Sequence, residues 1–155
     1  DPVLSYTYDH EVSRFTYDDL PDTIDYVLIT HNHQDHILFE TMLQIRHKVK
    51  NIVVPRNGSG SLQDPNLRRM FNQVGFKNVI ELEEFDEIPT AHGWIKSLPF
   101  FGEHADLAIR TKSAWLVQLG RHRLAFAADS CTTEPRLYEH PQKLVGDIDV
   151  LFLGI

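Results

Sequence analysis

Apolar residues recur along the chain in short blocks separated by polar segments, with two kinds of spacing. Short runs rich in Val, Ile and Leu predict buried strands, and apolar residues three or four positions apart predict amphipathic helices. Because the two kinds of element alternate, we expect a layered α/β fold with partly antiparallel sheets. The predicted strands lie at 26–30, 51–54, 79–82, 94–101, 114–119, 122–127 and 149–155, and the predicted helices at 37–49, 65–74 and 134–144.

The densest group of metal-ligand side chains occupies residues 31–36, with the sequence HNHQDH, directly after the first predicted strand. Along an extended chain, alternation places His31, His33 and Asp35 on one side. His36 then lies on the other side. Four ligands in so short a segment exceed what a single tetrahedral ion takes from it, so the spacing predicts two neighbouring metal ions.

Asp35 has an alternative explanation, because an aspartate before a helix commonly caps the helix N-terminus. In that interpretation residues 31–36 form a polar loop and the histidines are there by chance. Capping accounts for only one of the four residues and leaves three histidines at a strand exit unexplained. We therefore favour metal binding, with Asp35 able to serve as a cap as well.

A second candidate ligand, Asp129, follows the predicted strand 122–127, whose small residues allow close packing. A carboxylate there can bridge two cations through its two oxygens, which an imidazole cannot do. The alternative is a turn aspartate whose side chain accepts hydrogen bonds from nearby backbone amides. Given the HNHQDH segment, we favour the bridge.

A third group, Glu103 and His104, follows Gly102 at the end of the predicted strand 94–101. Gly102 permits a sharp turn, so we expect one of the two following side chains to complete the shell of the first ion. With His104 the ion has three histidines, a set suited to zinc and hydroxide attack. With Glu103 it has two histidines and a carboxylate, the set associated with non-haem iron and dioxygen. The spacing leaves both possibilities open.

Composition limits the classes of function. A chain of 155 residues with 42% hydrophobic and 24% charged residues is typical of one soluble globular domain. No apolar run reaches membrane-spanning length, and the net charge of -7 argues against nucleic acid as the main partner. The single cysteine, Cys131, excludes an internal disulfide and favours a reducing, cytoplasmic location. These features make no prediction of the oligomeric state.

The segment Thr30–His36 resembles the His-x-His-x-Asp-His signature of the metallo-β-lactamase fold. Asp129, within the sequence AADS, resembles the bridging aspartate that follows a strand in that family. The resemblance covers nearly the whole chain. It implies an αββα sandwich with a dinuclear metal site at one edge of its two sheets.

Within that superfamily, the sequence GEHADL at 102–107 is similar to the segment that supplies a glutamate ligand in CmlA-like diiron oxygenases. Those enzymes hydroxylate amino acids held on carrier proteins. The offsets of Glu103 and Asp129 from His31 are also similar to those of this subgroup. The resemblance therefore implies two irons, the first bound by His31, His33, Glu103 and Asp129 and the second by Asp35, His36 and Asp129.

The ends of the chain depart from the family pattern. The family has strands before the position of Asp1 and a last histidine ligand after that of Ile155. We therefore expect residues 1–155 to be a single, partial domain of a longer chain, with the activity residing in the complete protein.

Three hypotheses of function follow. The leading one is a non-haem diiron oxygenase or hydroxylase that acts on a small-molecule or carrier-bound substrate, with Asp35 and Asp129 in catalytic roles. The second keeps the fold but places zinc in the site, for hydrolysis of esters, lactones or phosphoesters. The third is a non-catalytic metal-binding or scaffold domain that retains its ligands by descent.

Overall fold

The computed structural model describes residues 1–4, 15–102 and 108–154. Glu103 and His104, two of the predicted site residues, lie outside the described residues. The strands are β1 (Ile24–Leu28), β2 (Val49–Pro55), β3 (Val79–Leu82), β4 (Glu87–Thr90), β5 (Gly93–Leu98), β6 (Ala114–Leu119), β7 (His122–Ala128) and β8 (Val150–Leu153). The helices are α1 (Phe39–Ile45), α2 (Leu67–Gln73) and α3 (Arg136–Val145), with a 3-10 turn at Tyr17–Asp19.

The described strands form two sheets. The first has the order β1-β2-β3, and its strands are parallel. Parallel neighbours need a crossover connection, which α1 and α2 supply here. The second sheet has the order β4-β5-β6-β7-β8 and is antiparallel as far as β7. Strand β8 lies parallel to β7, after the crossover through α3.

Alternation along β2 defines two layers of core. Ile52 and Val54 face the helices, where they belong to one buried cluster with Met42 of α1 and Phe71 of α2. Val53, between them, faces the other way and packs against the second sheet. Because β2 is central and covered on both faces, its buried part is a continuous apolar run, IVVP at 52–55, rather than an alternating one.

The second sheet repeats this division. Trp115 and Ile95 form the inter-sheet core with the first sheet. On the opposite face, Leu116 and Ala125 pack in a cluster with Val145 of α3. The layers are therefore helices, sheet, sheet and helix, and the predicted αββα sandwich is confirmed.

Strand β4 was not predicted from the sequence. Its residue Pro89 has no backbone N–H to donate, which argues against a strand inside a sheet. The structure places β4 at the edge of the second sheet, paired only with β5, where a proline is tolerated.

The helices are shorter than predicted. Helix α1 begins at Phe39 and ends at Ile45, because Val49 already pairs with β1 as the first residue of β2. Helix α2 is capped by Asn66, whose side chain accepts a hydrogen bond from the N–H of Arg69. Across the described ranges, none of the helices combines the length and apolar character needed to cross a membrane.

The last strand forms where the apolar run predicts it, but it is not buried. The side chains of β8 are between 44% and 58% exposed, with Val150 and Leu151 at the two limits. Strand β8 is an edge strand, so among the described residues only β7 pairs with it. Phe152 stacks on Phe126 of β7 with ring centroids 4.7 Å apart.

We expect Trp115→Phe to lower the free energy of unfolding by about 1–3 kcal/mol, since it leaves a buried carbonyl without its donor. The indole N–H of Trp115 donates to the carbonyl of Ile29 at 3.1 Å, which ties the second sheet to the first. Urea unfolding followed by circular dichroism measures the effect. Trp94→Phe, at a half-buried position on the outer face, is the control, and an equal loss in both variants would contradict the prediction.

Candidate metal centre

The first part of the ligand segment continues the edge of the first sheet. The N–H of Ile29 donates to the carbonyl of Val53, and the N–H of Ser113 donates to that of Thr30. His31 pairs with Lys112 in a single antiparallel bridge. These contacts hold the backbone extended up to His31, whose side chain is fully buried.

The chain then turns. The N–H groups of His36 and Ile37 both donate to the carbonyl of His33, at 3.1 and 2.9 Å. The prediction that Asp35 shares a side with His31 and His33 is therefore wrong, because alternation ends where the turn begins. Asp35 lies instead beside His36, with 3.7 Å between its Oδ2 and the Nε2 of that histidine.

Asp35 does not cap helix α1. The N-cap of α1 is Leu38, which makes no side-chain capping hydrogen bond. The Asp35 side chain is 78% exposed, on the open side of the site. The structure therefore contradicts the capping interpretation, and the Asp35 carboxylate lies next to His36 instead.

Asp129 comes from the other sheet. Strand β7 ends at Ala128, whose φ of 47° is unusual for a residue other than glycine. The pairing of β7 with β8 also shifts between Phe126 and Ala128. This bend places Oδ2 of Asp129 at 3.1 Å from Nε2 of His36 and at 3.7 Å from Nε2 of His31.

Gly154, at the end of β8, lies against the same carboxylate. Its N–H donates to the carbonyl of Ala128 at 2.7 Å. A Cβ at this position would lie 3.0 Å from Oδ1 of Asp129 and 2.8 Å from the Ala128 carbonyl oxygen. Only a residue without a side chain therefore fits beside the bend.

The side chains form two groups that share one carboxylate. Each group has three ligand atoms within 4.8 Å of one another. In the first, Nε2 of His31 and Nδ1 of His33 are 2.7 Å apart. Imidazole nitrogens and carboxylate oxygens that converge in this way fit a pair of divalent cations, with the shared carboxylate between them. The groups are His31, His33 and Asp129, and Asp35, His36 and Asp129.

Asp1 and Thr30 orient His36 and His31 through contacts with the Nδ1 atoms of the two imidazoles. Oδ2 of Asp1 lies 3.0 Å from Nδ1 of His36 and accepts a hydrogen bond from the Thr30 hydroxyl at 2.6 Å. Because that hydroxyl donates to Asp1, it accepts from Nδ1 of His31, 2.9 Å away. Both histidines then carry their proton on Nδ1, so the lone pair of each imidazole is on Nε2, the atom that faces the other candidate ligands.

Sequence reasoning did not find these two supporting residues. Thr30 could have been suspected, since it directly precedes the ligand segment and a hydroxyl there can reach the neighbouring imidazole. Asp1 carries no local signal, because its partner Thr30 is 29 positions away in the chain.

Ser130 attaches the end of the 94–101 region to the turn that carries Asp129. Its hydroxyl accepts from the N–H of Phe101 at 2.9 Å and lies 3.1 Å from the carbonyl of the same residue. Gly102 has a φ of 74°, and a Cβ there would overlap the carbonyl of Cys131. Gly102 therefore lies beside the turn that carries Asp129, and the predicted ligands Glu103 and His104 lie outside the described residues.

A family model of the β-lactamase superfamily domain matches residues 1–155. The chain belongs to this superfamily. A curated relative, the 4-amino-L-phenylalanyl-[CmlP-peptidyl-carrier-protein] 3-hydroxylase of Streptomyces venezuelae, is 44% identical over 157 residues. The match covers 100% of this chain and 30% of the relative, so the chain spans less than a third of that protein.

Solved structures of superfamily members agree. The crystal structure of CmlA, a diiron β-hydroxylase from Streptomyces venezuelae, has a TM-score of 0.88 and 44% identity, over 97% of this chain and 29% of CmlA. A point mutant of the CmlA β-hydroxylase gives 0.89 and 43%, over 98% and 30%. The resemblance to the CmlA-like subgroup is thereby confirmed. A Parabacteroides distasonis protein named for metal-dependent hydrolysis shares the fold, with a TM-score of 0.57 and 18% identity over 86% of this chain and 54% of that one.

We expect Asp1→Asn, made in the complete protein, to weaken metal binding by about 10–100-fold, as loss of an outer carboxylate on a ligand histidine typically does. The amide removes the negative charge that holds the Nδ1 proton of His36. Competition against a chelator of known affinity measures the change. Asp25→Asn removes an exposed carboxylate that pairs with Lys50 and serves as control. Equal affinities in the two variants would refute the orienting role of Asp1.

Proposed function

We propose that this chain is the metal-binding part of a non-haem diiron oxygenase that hydroxylates an amino acid held on a carrier protein. The observation that carries the proposal is the pair of ligand groups sharing Asp129, in a chain 44% identical over its full length to a carrier-protein-dependent hydroxylase. The bound irons would supply the binding and activation of dioxygen.

The ligand assignment follows the two groups of side chains. Asp129 would bridge the irons, because Oδ2 of its carboxylate approaches both Nε2 of His31 and Nε2 of His36. The imidazoles of His31 and His33 would serve the first iron. Asp35 and His36 would serve the second, where the exposed Asp35 carboxylate leaves an open side for the substrate.

Glu103 would complete the first iron. The contact of Gly102 with the Cys131 carbonyl supports this role, because Gly102 directly precedes Glu103 in the chain and Cys131 follows Asp129 by two positions. A glutamate here gives the centre three carboxylates, counting Asp35 and Asp129. Negative ligands of this kind stabilise the higher oxidation states that oxygen chemistry requires, whereas a third histidine would suit zinc.

The reaction itself inserts one oxygen atom of dioxygen into a C–H bond of the substrate. The other atom leaves as water, with two electrons from an external reductant and two protons. A cytoplasmic location, expected from the single cysteine, fits a centre that is loaded with ferrous iron. Asp35 and Asp129 contribute by holding the irons and by setting the open side from which the substrate approaches.

Neighbouring substitutions in the complete protein test the assignment. We expect Glu103→Ala to lose iron from the centre and to lower hydroxylation by at least about 100-fold, since the loss of a direct ligand should cost more than the loss of an outer-shell partner. His104→Ala, one position further on, should keep both the iron and the activity. Elemental analysis counts the metal, and mass spectrometry detects a gain of one oxygen atom on a panel of aminoacyl carrier proteins that includes the 4-amino-L-phenylalanyl thioester.

The same experiment separates the rival hypotheses. Loss of metal in His104→Ala, together with zinc in the purified protein and hydrolysis of an ester or lactone, would replace the oxygenase by a zinc hydrolase. Failure of the complete protein to retain any divalent metal would favour the scaffold hypothesis.

A further inference from the structure

Two cavities open on the outer side of the metal site and share a wall. The first, of about 780 Å³, is lined by His33 of the candidate centre. The second, of about 650 Å³, is lined by the loop 56–61 and by Arg110. Gln63 and Ala108 line both cavities, so the two cavities adjoin, and His33 of the candidate centre lines only the first of them. We call the two adjoining cavities together the outer groove.

The inner part of the outer groove carries amide side chains. Asn32, Gln34 and Gln63 line it, and Nδ2 of Asn32 donates to the backbone carbonyl of Gln63 at 3.4 Å. Gln34 and Gln63 are exposed, and both line the first cavity. Phe39 and Ile109 add apolar surface between them. An occupant with secondary amides separated by short aliphatic stretches matches this lining, since amide side chains both donate and accept.

The outer part is lined by two arginines, Arg56 and Arg110, and by the carboxylate of Asp64. Arg56 pairs with Glu83 at 2.8 Å, whereas the guanidinium of Arg110 has no carboxylate partner within the described part of the chain. The carboxylate of Asp64 is 7% exposed and accepts from the backbone N–H groups of Arg110 and Thr111, at 3.1 and 3.0 Å. Asp64 thus fixes the backbone that bears Arg110. The exposed guanidinium of Arg110 is therefore the group at this end of the outer groove that can bind an anion.

We propose that the outer groove binds the phosphopantetheine arm through which a carrier protein presents its amino acid. The inference rests on the proposed function, because it is the carrier-bound substrate that brings such an arm. The arm bears a thioester, then two secondary amides and a hydroxyl, then a phosphodiester. The outer groove offers its features in the same order: the metal site, the amide side chains and the arginine.

Binding of the free arm tests the inference without any turnover. The probes are 4′-phosphopantetheine, pantetheine, which lacks the phosphate, and inorganic phosphate, each titrated into the complete protein and followed by ligand-observed NMR. We expect phosphopantetheine to bind about tenfold more tightly than pantetheine, as a charge-assisted contact with one arginine provides. Arg110→Gln should abolish that preference. Arg121→Gln, at the turn between β6 and β7, is the matched control and should keep it.

Gln63→Leu tests the amide part separately. It retains apolar volume but removes the side-chain amide, so both pantetheine and phosphopantetheine should bind more weakly while the preference for the phosphate remains. Equal affinity of the two probes, tight binding of inorganic phosphate alone, or a preference unchanged in Arg110→Gln would each overturn the inference.

The source of the arm is tested with two further probes, a carrier protein bearing the arm and coenzyme A. We expect the carrier protein to bind more tightly, and weaker binding than that of coenzyme A would overturn the carrier as the source. Failure of this inference can be distinguished from failure of the proposed function. Hydroxylation without any phosphate preference would refute the groove alone, and a phosphate preference without hydroxylation would refute the oxygenase alone.

Discussion

The carboxylate of Asp129 lies between imidazoles that come from a different sheet, and this contact sets the strictest demand on the fold. His31 and His36 follow β1 of the first sheet, whereas Asp129 follows β7 of the second. Ligand geometry tolerates errors of about half an ångström, so the offset between the sheets must be fixed to that accuracy. Trp115 contributes directly, since its indole bonds the carbonyl of Ile29, two residues before His31. Packing between the sheets is thus a condition of the chemistry.

The structure also determines which ring nitrogen of His31 and of His36 carries the proton. The hydrogen bonds from Asp1 through Thr30 to His31, and from Asp1 to His36, select the tautomer in which Nε2 of each histidine carries the lone pair. One carboxylate therefore prepares a ligand of each metal group. The two positions of the centre are coupled before any ion is bound, because a disturbance at Asp1 reaches both.

The sequence was sufficient where the signal is local. Strand β3 at Val79–Leu82 and strand β6 at Ala114–Leu119 have the bounds that their apolar runs predict. Residues 31–36 could be found because the ligands adjoin one another. What depended on tertiary structure could not be read from spacing: the backbone hydrogen bonds to His33 that move Asp35 to the side of His36, and the contact with Asp1 from 29 positions away.

Gly154 connects the site to the pairing of β7 with β8. If β8 slipped by one residue against β7, a leucine side chain, that of Leu153, would occupy the place of Gly154 and collide with the Asp129 carboxylate. The steric clash that destabilises the misaligned sheet therefore lies at Asp129, within the metal centre. Correct strand alignment and a competent centre are therefore selected together during folding, and an error in the first cannot persist as a hidden defect in the second.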